Sequence, residues 1–271
     1  MATYIKKFIN HNKYNEYING NSLILPNVSL CLNEDDVHYN PYIEPETRLV
    51  CKYNVTDTVY PTTLRTNYEQ NIFKSMEIDN VMLDELVTEY KFDTVGEHTV
   101  KYELYDEIKL GNTAPVFQNN NLIECIIPDN VTNISQNTFY ECNLLTSINI
   151  PNSVTNIGGS VFYNCSSLTS IDIPDSVTRI YASTFYGCIG ITNIDIPSGV
   201  TEIENSAFMY CVNLTSIVSN AITAPLIQNS TFQGIHTNGI LTVPSGSTGY
   251  DAWMGTGDFY LGKYGWTKVE Q

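Results

Sequence analysis

The chain has 271 residues, is 42% hydrophobic and carries a formal net charge of −16. That is enough for one large domain or two to three small ones with a buried core, and it excludes a wholly disordered chain. Such acidity repels a phosphate backbone or an anionic membrane, so neither nucleic acid nor a lipid surface is an expected partner.

Only 15% of the residues are charged. The polarity comes from Asn, Ser and Thr, the residues of turns and repetitive β structure, and nineteen tyrosines add β-favouring aromatic surface. No stretch approaches the roughly 18–20 apolar residues of a membrane span, so no membrane insertion is expected.

In chain order, residues 1–48 are predicted to be an anchoring or docking segment. The start, Met1 to Asn12, has two lysines but no apolar h-region and no small-residue cleavage site, unlike a secretory signal. The protein is therefore expected to stay where it is made or to leave by another route. Ile5 to Ile18 fits a helix ending at Gly20, and Ser22 to Leu32 a strand pair across Pro26-Asn27. The polar run Asn33 to Pro45 follows. Its acidic start, Asn33-Glu34-Asp35-Asp36, lacks the spaced ligands of a calcium loop and reads as a solvated turn. A segment this small cannot build its own core, which points to docking on another protein.

Residues 49–110 change character. Leu49–Val55, Phe73–Ile78 and Val100–Leu104 alternate as half-buried strands should. Lys91 to Lys101 reads as a hairpin turning near Gly96. The run Phe92-Asp-Thr-Val-Gly-Glu-His-Thr-Val-Lys-Tyr102 resembles segments of small immunoglobulin-like β-sandwiches, which implies such a domain here, acting as spacer and N-terminal cap.

Residues 111–243 are predicted to be a solenoid. Pro128, Pro151, Pro174 and Pro197 are each 23 residues apart. The same step relates Phe139, Phe162, Phe185 and Phe208, and it relates Cys142, Cys165, Cys188 and Cys211. It also relates the Val131 and Ile134 columns to their successors. Five columns in register over four copies identify a repeat, and a period in the twenties is that of leucine-rich repeats. In the clearest unit, Leu168, Ile171 and Ile173 fit the L-x-x-L-x-L strand with Ile171 and Ile173 inward, and Pro174 ends it. Val177, Ile180, Phe185 and Cys188 return the chain across the back of the core. The Phe and Cys columns are the expected core ladder, because one coil cannot bury its apolar face alone. The thiols read as small buried hydrophobes. A metal site would need Cys-x-x-Cys pairs or nearby His, and seven cysteines without a signal peptide argue against a disulfide framework.

The 23-residue ruler fails after Ile217. Phe232 sits one residue late, Gly234 stands at the next cysteine position, and Ile240 to Pro244 looks like a last strand. Residues 244–271 hold Trp253, Tyr260, Tyr264 and Trp266. They read as an aromatic C-terminal cap over the last coil, the alternative being a sugar-stacking platform on the two tryptophans.

No catalytic constellation stands out, and no cofactor is expected. His11, His38, His98 and His236 are scattered without a Cys or carboxylate at ligand or triad spacing. Gly255-Thr-Gly257 follows no βα unit and lacks a phosphate loop's third glycine. The candidate binding surface is the outer side of the stacked strands, with Ser147, Ser170 and Asn193 in one column and Asn149, Asp172 and Asp195 in the other. These positions either meet a ligand or are merely solvated. Between residues 121 and 220 eight acidic side chains face only Arg179, so a ligand there should be a neutral glycan or a basic protein patch.

The unit Leu145-Thr-Ser-Ile-Asn-Ile-Pro-Asn-Ser-Val-Thr-Asn-Ile-Gly158, with Ala207-Phe208-Met-Tyr-Cys211, resembles the BspA-type leucine-rich repeat over about a third of the chain. That family occurs in surface adhesins of gut and oral bacteria and in gut phages, which implies binding or display rather than catalysis. The stretch Leu25 to Cys31 with Asp36 to Pro41 resembles the leader of structural proteins in crAss-like gut phages. The resemblance implies a virion protein, a head fibre or tail-associated fibre. It would contact other virion proteins through residues 1–48, pair with copies of itself in a dimer or trimer, and hold the repeats toward a host or mucosal surface. A bacterial cell-surface adhesin is the competing expectation, and an enzyme built on residues 1–110 a third.

Overall fold

The computed structural model describes residues 48–65, 72–104, 109–111, 114–118 and 121–271. The helix expected over 5–18, the strand pair over 22–32 and, Arg48 apart, the docking segment lie outside these residues. The strands are β1 (Leu49–Val55), β2 (Thr62–Thr63), β3 (Phe73–Ile78), β4 (Val81–Met82), β5 (Glu89–Tyr90), β6 (Gly96–Leu104), β7 (Lys109–Leu110), β8 (Leu122–Ile126) and β9 (Asn133–Ile134). They continue as β10 (Ser147–Asn149), β11 (Asn156–Ile157), β12 (Arg179–Ile180), β13 (Asn193–Ile196), β14 (Glu202–Ile203), β15 (Ser216–Ser219), β16 (Leu226–Ile227), β17 (Ile240–Val243) and β18 (Thr267–Glu270). The described residues form a β-rich leucine-rich-repeat solenoid behind an antiparallel N-terminal sheet. Its helix, among the described residues, is two short 3₁₀ turns, Tyr250–Met254 and Leu261–Tyr264.

Each conserved-looking column has a mechanical reason. Proline ends a strand, and its carbonyl then accepts the N–H three residues on: Val131 from Pro128, Val154 from Pro151, Val177 from Pro174 and Val200 from Pro197, all at 3.0–3.1 Å. The turn drives Val and then Ile into the core. A second turn carries the phenylalanine inward between two residues of left-handed backbone. The first is Asn137, Ser160, Ser183, Ser206 or Ser230, and the second Glu141, Asn164, Gly187, Tyr210 or Gly234, with φ between 54° and 71°. A non-glycine residue in that region costs about 1 kcal/mol. Inter-coil hydrogen bonds hold it there, as from Ser160 N–H to Ala182 O and from Asn164 N–H to Tyr186 O, at 2.9 and 2.7 Å.

The phenylalanines stack as one file. Phe117, Phe139, Phe162, Phe185, Phe208 and Phe232 follow at centroid spacings of 5.3–5.9 Å, with planes within 13° of parallel. The file starts one coil earlier than the 23-residue ruler shows, because Phe117 lies 22 residues before Phe139 and β7 pairs with β9. Burying a phenylalanine contributes about 1.5–3 kcal/mol, so the file is a large part of the stability.

The N-terminal sheet is continuous with the repeats. Its order is β10-β8-β1-β6-β3-β4, so the antiparallel strands β1, β6, β3 and β4 continue into the first solenoid strands β8 and β10. Among the described residues the only other pairing in this part is β2 with β5, two residues each. The described residues do not confirm an immunoglobulin-like domain: β1 spends its second edge on β8, and what lies over the sheet is the short β2–β5 pair, where the Tyr53 hydroxyl donates to Leu64 O at 2.7 Å. Nor is residue stretch 91–101 a hairpin: Gly96, at φ 119°, opens the nine-residue β6, which pairs with β1 and β3 instead. Phe73 and Tyr102 reach the near end of the aromatic file, 6.4 and 5.9 Å from Phe117.

At the far end the repeat lengthens to 24 residues without breaking. Ile203 pairs with Ile227, Ser216 with Ile240, and Phe208 stacks on Phe232. With that step the cysteine position falls on buried Ile235, and Gly234 takes the left-handed place of Tyr210. The extra residue is absorbed between Ile217 and Leu226. Nor is β17 the last strand, since β18 lies parallel to it. Trp253 ends the aromatic file, 5.4 Å from Phe232, and its indole N–H donates to Pro225 O at 3.0 Å. Trp266 donates to His236 O at 2.7 Å and lies against Gly239, where a Cβ would come within 2.4 Å of the ring. Both indoles are buried, so neither offers a sugar a stacking face.

Candidate binding face

The parallel strands present two outward columns. Ser147, Ser170 and Asn193 stand in one and Asn149, Asp172 and Asp195 in the other, and all six are exposed. Their inward neighbours Ile148, Ile171, Ile173, Ile194 and Ile196 are buried, so alternation places the polar residues outside. Among the described residues, Ser147, Asn149, Ser170, Asp172 and Asp195 make no side-chain hydrogen bond, and Asn193 only accepts from neighbouring Thr192 at 3.4 Å.

Ion-paired or mixed polar and apolar positions flank this polar window. On one side Glu124 is paired with Lys52 of β1, beside Ile126. On the other, each strand pairs one polar with one apolar outward residue: Ser216 and Val218 on β15, Thr242 and Ile240 on β17, Thr267 and Val269 on β18. The window is the part of the strand face where both outward positions of three successive coils are polar, exposed and without an ion pair. Arg179, the one basic residue of the repeats, is elsewhere: on β12 it bridges Glu202 and Glu204 at 2.6 and 2.9 Å.

The ladder of main-chain hydrogen bonds lapses inside the window. Thr146 N–H donates to Ile123 O and Thr215 N–H to Thr192 O, both at 2.9 Å. The equivalent bonds of Thr169 and Thr192 are not formed, and residues 169–173 pair with no strand. The short strands part at the same place, since β11 pairs only with β9 and β12 only with β14. The other side of the coil stays closed, Phe162 N–H donating to Thr184 O at 3.0 Å. The isoleucines lining the opening are the more exposed ones, at 9% for Ile148 and 8% for Ile173 against 1% for Ile194 and 0% for Ile217. Coil 168–188 thus keeps its place by apolar burial and by its phenylalanine turn. It leaves the amide and carbonyl groups beside Ser170 and Asp172 for solvent or a ligand.

The core ladder lies behind this face. The thiols are more than small hydrophobes: Cys142, Cys165, Cys188 and Cys211 donate to the carbonyls of Phe117, Phe139, Phe162 and Phe185, at 3.0–3.2 Å. Burial raises all four thiols, Cys211 to about 12, so none is a thiolate near neutral pH. A second aromatic file escaped the sequence reading. Tyr140, Tyr163 and Tyr186, half-buried beside the phenylalanines, stack at 4.7 and 4.5 Å with planes 7° apart. Their 23-residue spacing was the available signal.

Of the histidines, His11 and His38 lie outside the described residues. His98 sits between the Asp79 carboxylate at 2.6 Å and Thr94 O at 2.9 Å, with its ring tilted against Phe92 at 4.2 Å. Among the described residues no group of three or more His, Cys, Asp or Glu is placed to hold a metal ion, and no helix is long and apolar enough to cross a membrane.

Residues 113–238 match, in six copies, the family model described as BspA type leucine rich repeat region. Among solved structures the chain is similar to a leucine-rich repeat protein from Bacteroides ovatus, 28% identical with a TM-score of 0.39, over 53% of this chain and 44% of that one. It is also similar to a leucine rich cell surface protein from Faecalibacterium prausnitzii, 27% identical with a TM-score of 0.41, over 55% of this chain and 38% of that one. The chain spans less than half the length of either protein. No curated protein matches it.

Proposed function

We propose that this chain, whose residues 113–238 match the BspA-type leucine-rich-repeat model, is a non-enzymatic display protein that adheres through its strand face. The observation that carries this reading is the polar window around Ser147, Asn149, Ser170, Asp172, Asn193 and Asp195, where free side chains and unpaired main-chain groups share one exposed surface. Its chemistry suits a neutral glycan or a basic protein patch. The window covers three coils, which at about 4.8 Å each make a patch only some 10–15 Å across. That is marginal against the roughly 800 Å² per side of a standard interface, so one copy binds weakly and adhesion depends on several copies acting together.

In the fuller form of the reading, residues 1–48 dock a dimer or trimer of the chain on a phage particle, as the resemblance of residues 25–41 to phage structural leaders suggests. The solenoid then faces a host or mucosal surface. The use of this repeat type in bacterial adhesins favours a second reading, in which the same face is carried on a bacterial surface. Fractionating a producing culture separates them. The chain bands with assembled virions on a density gradient under the first reading and with cell envelopes under the second. A chain recovered wholly as free monomer contradicts both.

A further inference from the structure

Cys51 on β1 stands directly opposite Cys125 on β8, and the two Sγ atoms lie 3.7 Å apart with both residues fully buried. The Asn54 N–H donates to Asn121 O across this strand pair. By alternation along β1, the main-chain groups of Cys51 then point toward β6. The two cysteines therefore face each other as a non-hydrogen-bonded pair, the arrangement in which antiparallel Cα atoms approach to about 4.5 Å and side chains lie closest. That spacing falls within the roughly 4.4–6.8 Å that a disulfide spans. The other four described thiols are each turned onto a phenylalanine carbonyl instead.

We propose that Cys51 and Cys125 are a disulfide site, free thiols in a reducing compartment and joined once the chain meets a small disulfide oxidant of the glutathione class. One thiol loses its proton and attacks oxidised glutathione, releasing one glutathione thiolate and leaving a mixed disulfide. The second then displaces the remaining glutathione, and the two departing thiolates take up the two protons. The net change is two cysteine thiols and one oxidised glutathione to one protein disulfide and two reduced glutathiones. Because both sulfurs are buried, the first attack requires β1 and β8 to part or occurs before they have paired. The bond fastens the N-terminal sheet to the first solenoid strand, closing a span from residue 51 to residue 125. It departs from the all-thiol reading of the sequence at this one pair.

The test uses the full chain, both incubated folded and refolded from urea, in oxidised with reduced glutathione, followed by intact mass and non-reducing peptide mapping. The expected result is loss of two hydrogens, a linked peptide containing Cys51 and Cys125, and a melting temperature that rises and returns on reduction. Cys51→Ser, with a native circular dichroism spectrum, should show none of these. The proposal is overturned if both thiols remain free to alkylation after denaturation in both experiments, if either ends as a stable glutathione adduct, or if the linkage joins other cysteines.

Discussion

The Cys188 thiol donates to the carbonyl oxygen of Phe162 in the preceding coil, at 3.1 Å, while that same oxygen accepts the Cys165 N–H at 3.1 Å. One acceptor thus closes the turn of its own coil and grips the next, which explains why cysteine recurs at the phenylalanine's step. Replacing Cys188 with alanine removes the grip and leaves a small void, but the carbonyl keeps its other donor. The loss should be about 1–2 kcal/mol, read by urea denaturation, with the fold retained. An unchanged midpoint would show the thiol to be passive filling.

Removing a rung of the aromatic file should cost more. Phe185 lies between Phe162 and Phe208 at 5.7 and 5.3 Å and is buried. Phe185→Ala should destabilise by about 3–5 kcal/mol. Tyr163→Ala, in the half-buried outer file, should cost distinctly less. Equal losses at the two positions would mean that the files share the load.

Alkaline pH should weaken the fold. Burial raises the thiols of Cys51, Cys142, Cys165, Cys188 and Cys211 and the phenols of Tyr53 and Tyr102 above their ordinary values. A free thiol titrates near 8.5. Above that pH the unfolded chain has lost protons that the folded chain still holds. The stability these groups contribute is therefore whole below about pH 8.5 and declines as pH rises toward the folded values, about 12 for Cys211. Each thiol contributes a slope of about 1.4 kcal/mol per pH unit in that window. The urea midpoint should be level across pH 6.5–8 on this account and fall steadily above about 8.5. A level midpoint to pH 10.5 would contradict it.

The lapse in the strand ladder should be visible in exchange. Residues 169–173 lack main-chain partners, while β13 and β15 are paired. Amides of 169–173 should exchange with deuterium fast, and those of Ile194, Ile196 and Ile217 slowly. Uniform protection across the three coils would mean that the ladder is closed.

Much of this architecture was legible because a repeat states the same physics several times. The Pro, Val, Ile, Phe and Cys columns each report one turn or one buried rung, and four copies distinguish them from chance. Apart from the tyrosine file, what escaped was whatever occurs once. The extra residue before Leu226 hid the continued stacking of Phe232, and no periodicity could show that β1 would spend its second edge on β8. Coil 168–188, the cleanest match to the pattern, is the one whose strand is unpaired. Its alternation is fixed by burying Ile171 and Ile173, which a ladder is not needed to achieve. The six face residues were legible as outward positions, whereas the break in the main-chain ladder beside Ser170 and Asp172 leaves no mark in side-chain pattern.

The central claim is weak, multivalent adhesion through that window. Its most direct measurement compares the full chain in solution with beads carrying many copies, both over a surface of intestinal mucin, alongside the Asp172→Lys/Asp195→Lys double variant. A single copy should bind with a dissociation constant weaker than about 10 μM and beads about 10²–10⁴-fold more tightly. The folded double variant should adhere in neither form. Nanomolar binding by the single copy, or bead adhesion undiminished in the double variant, would contradict the account.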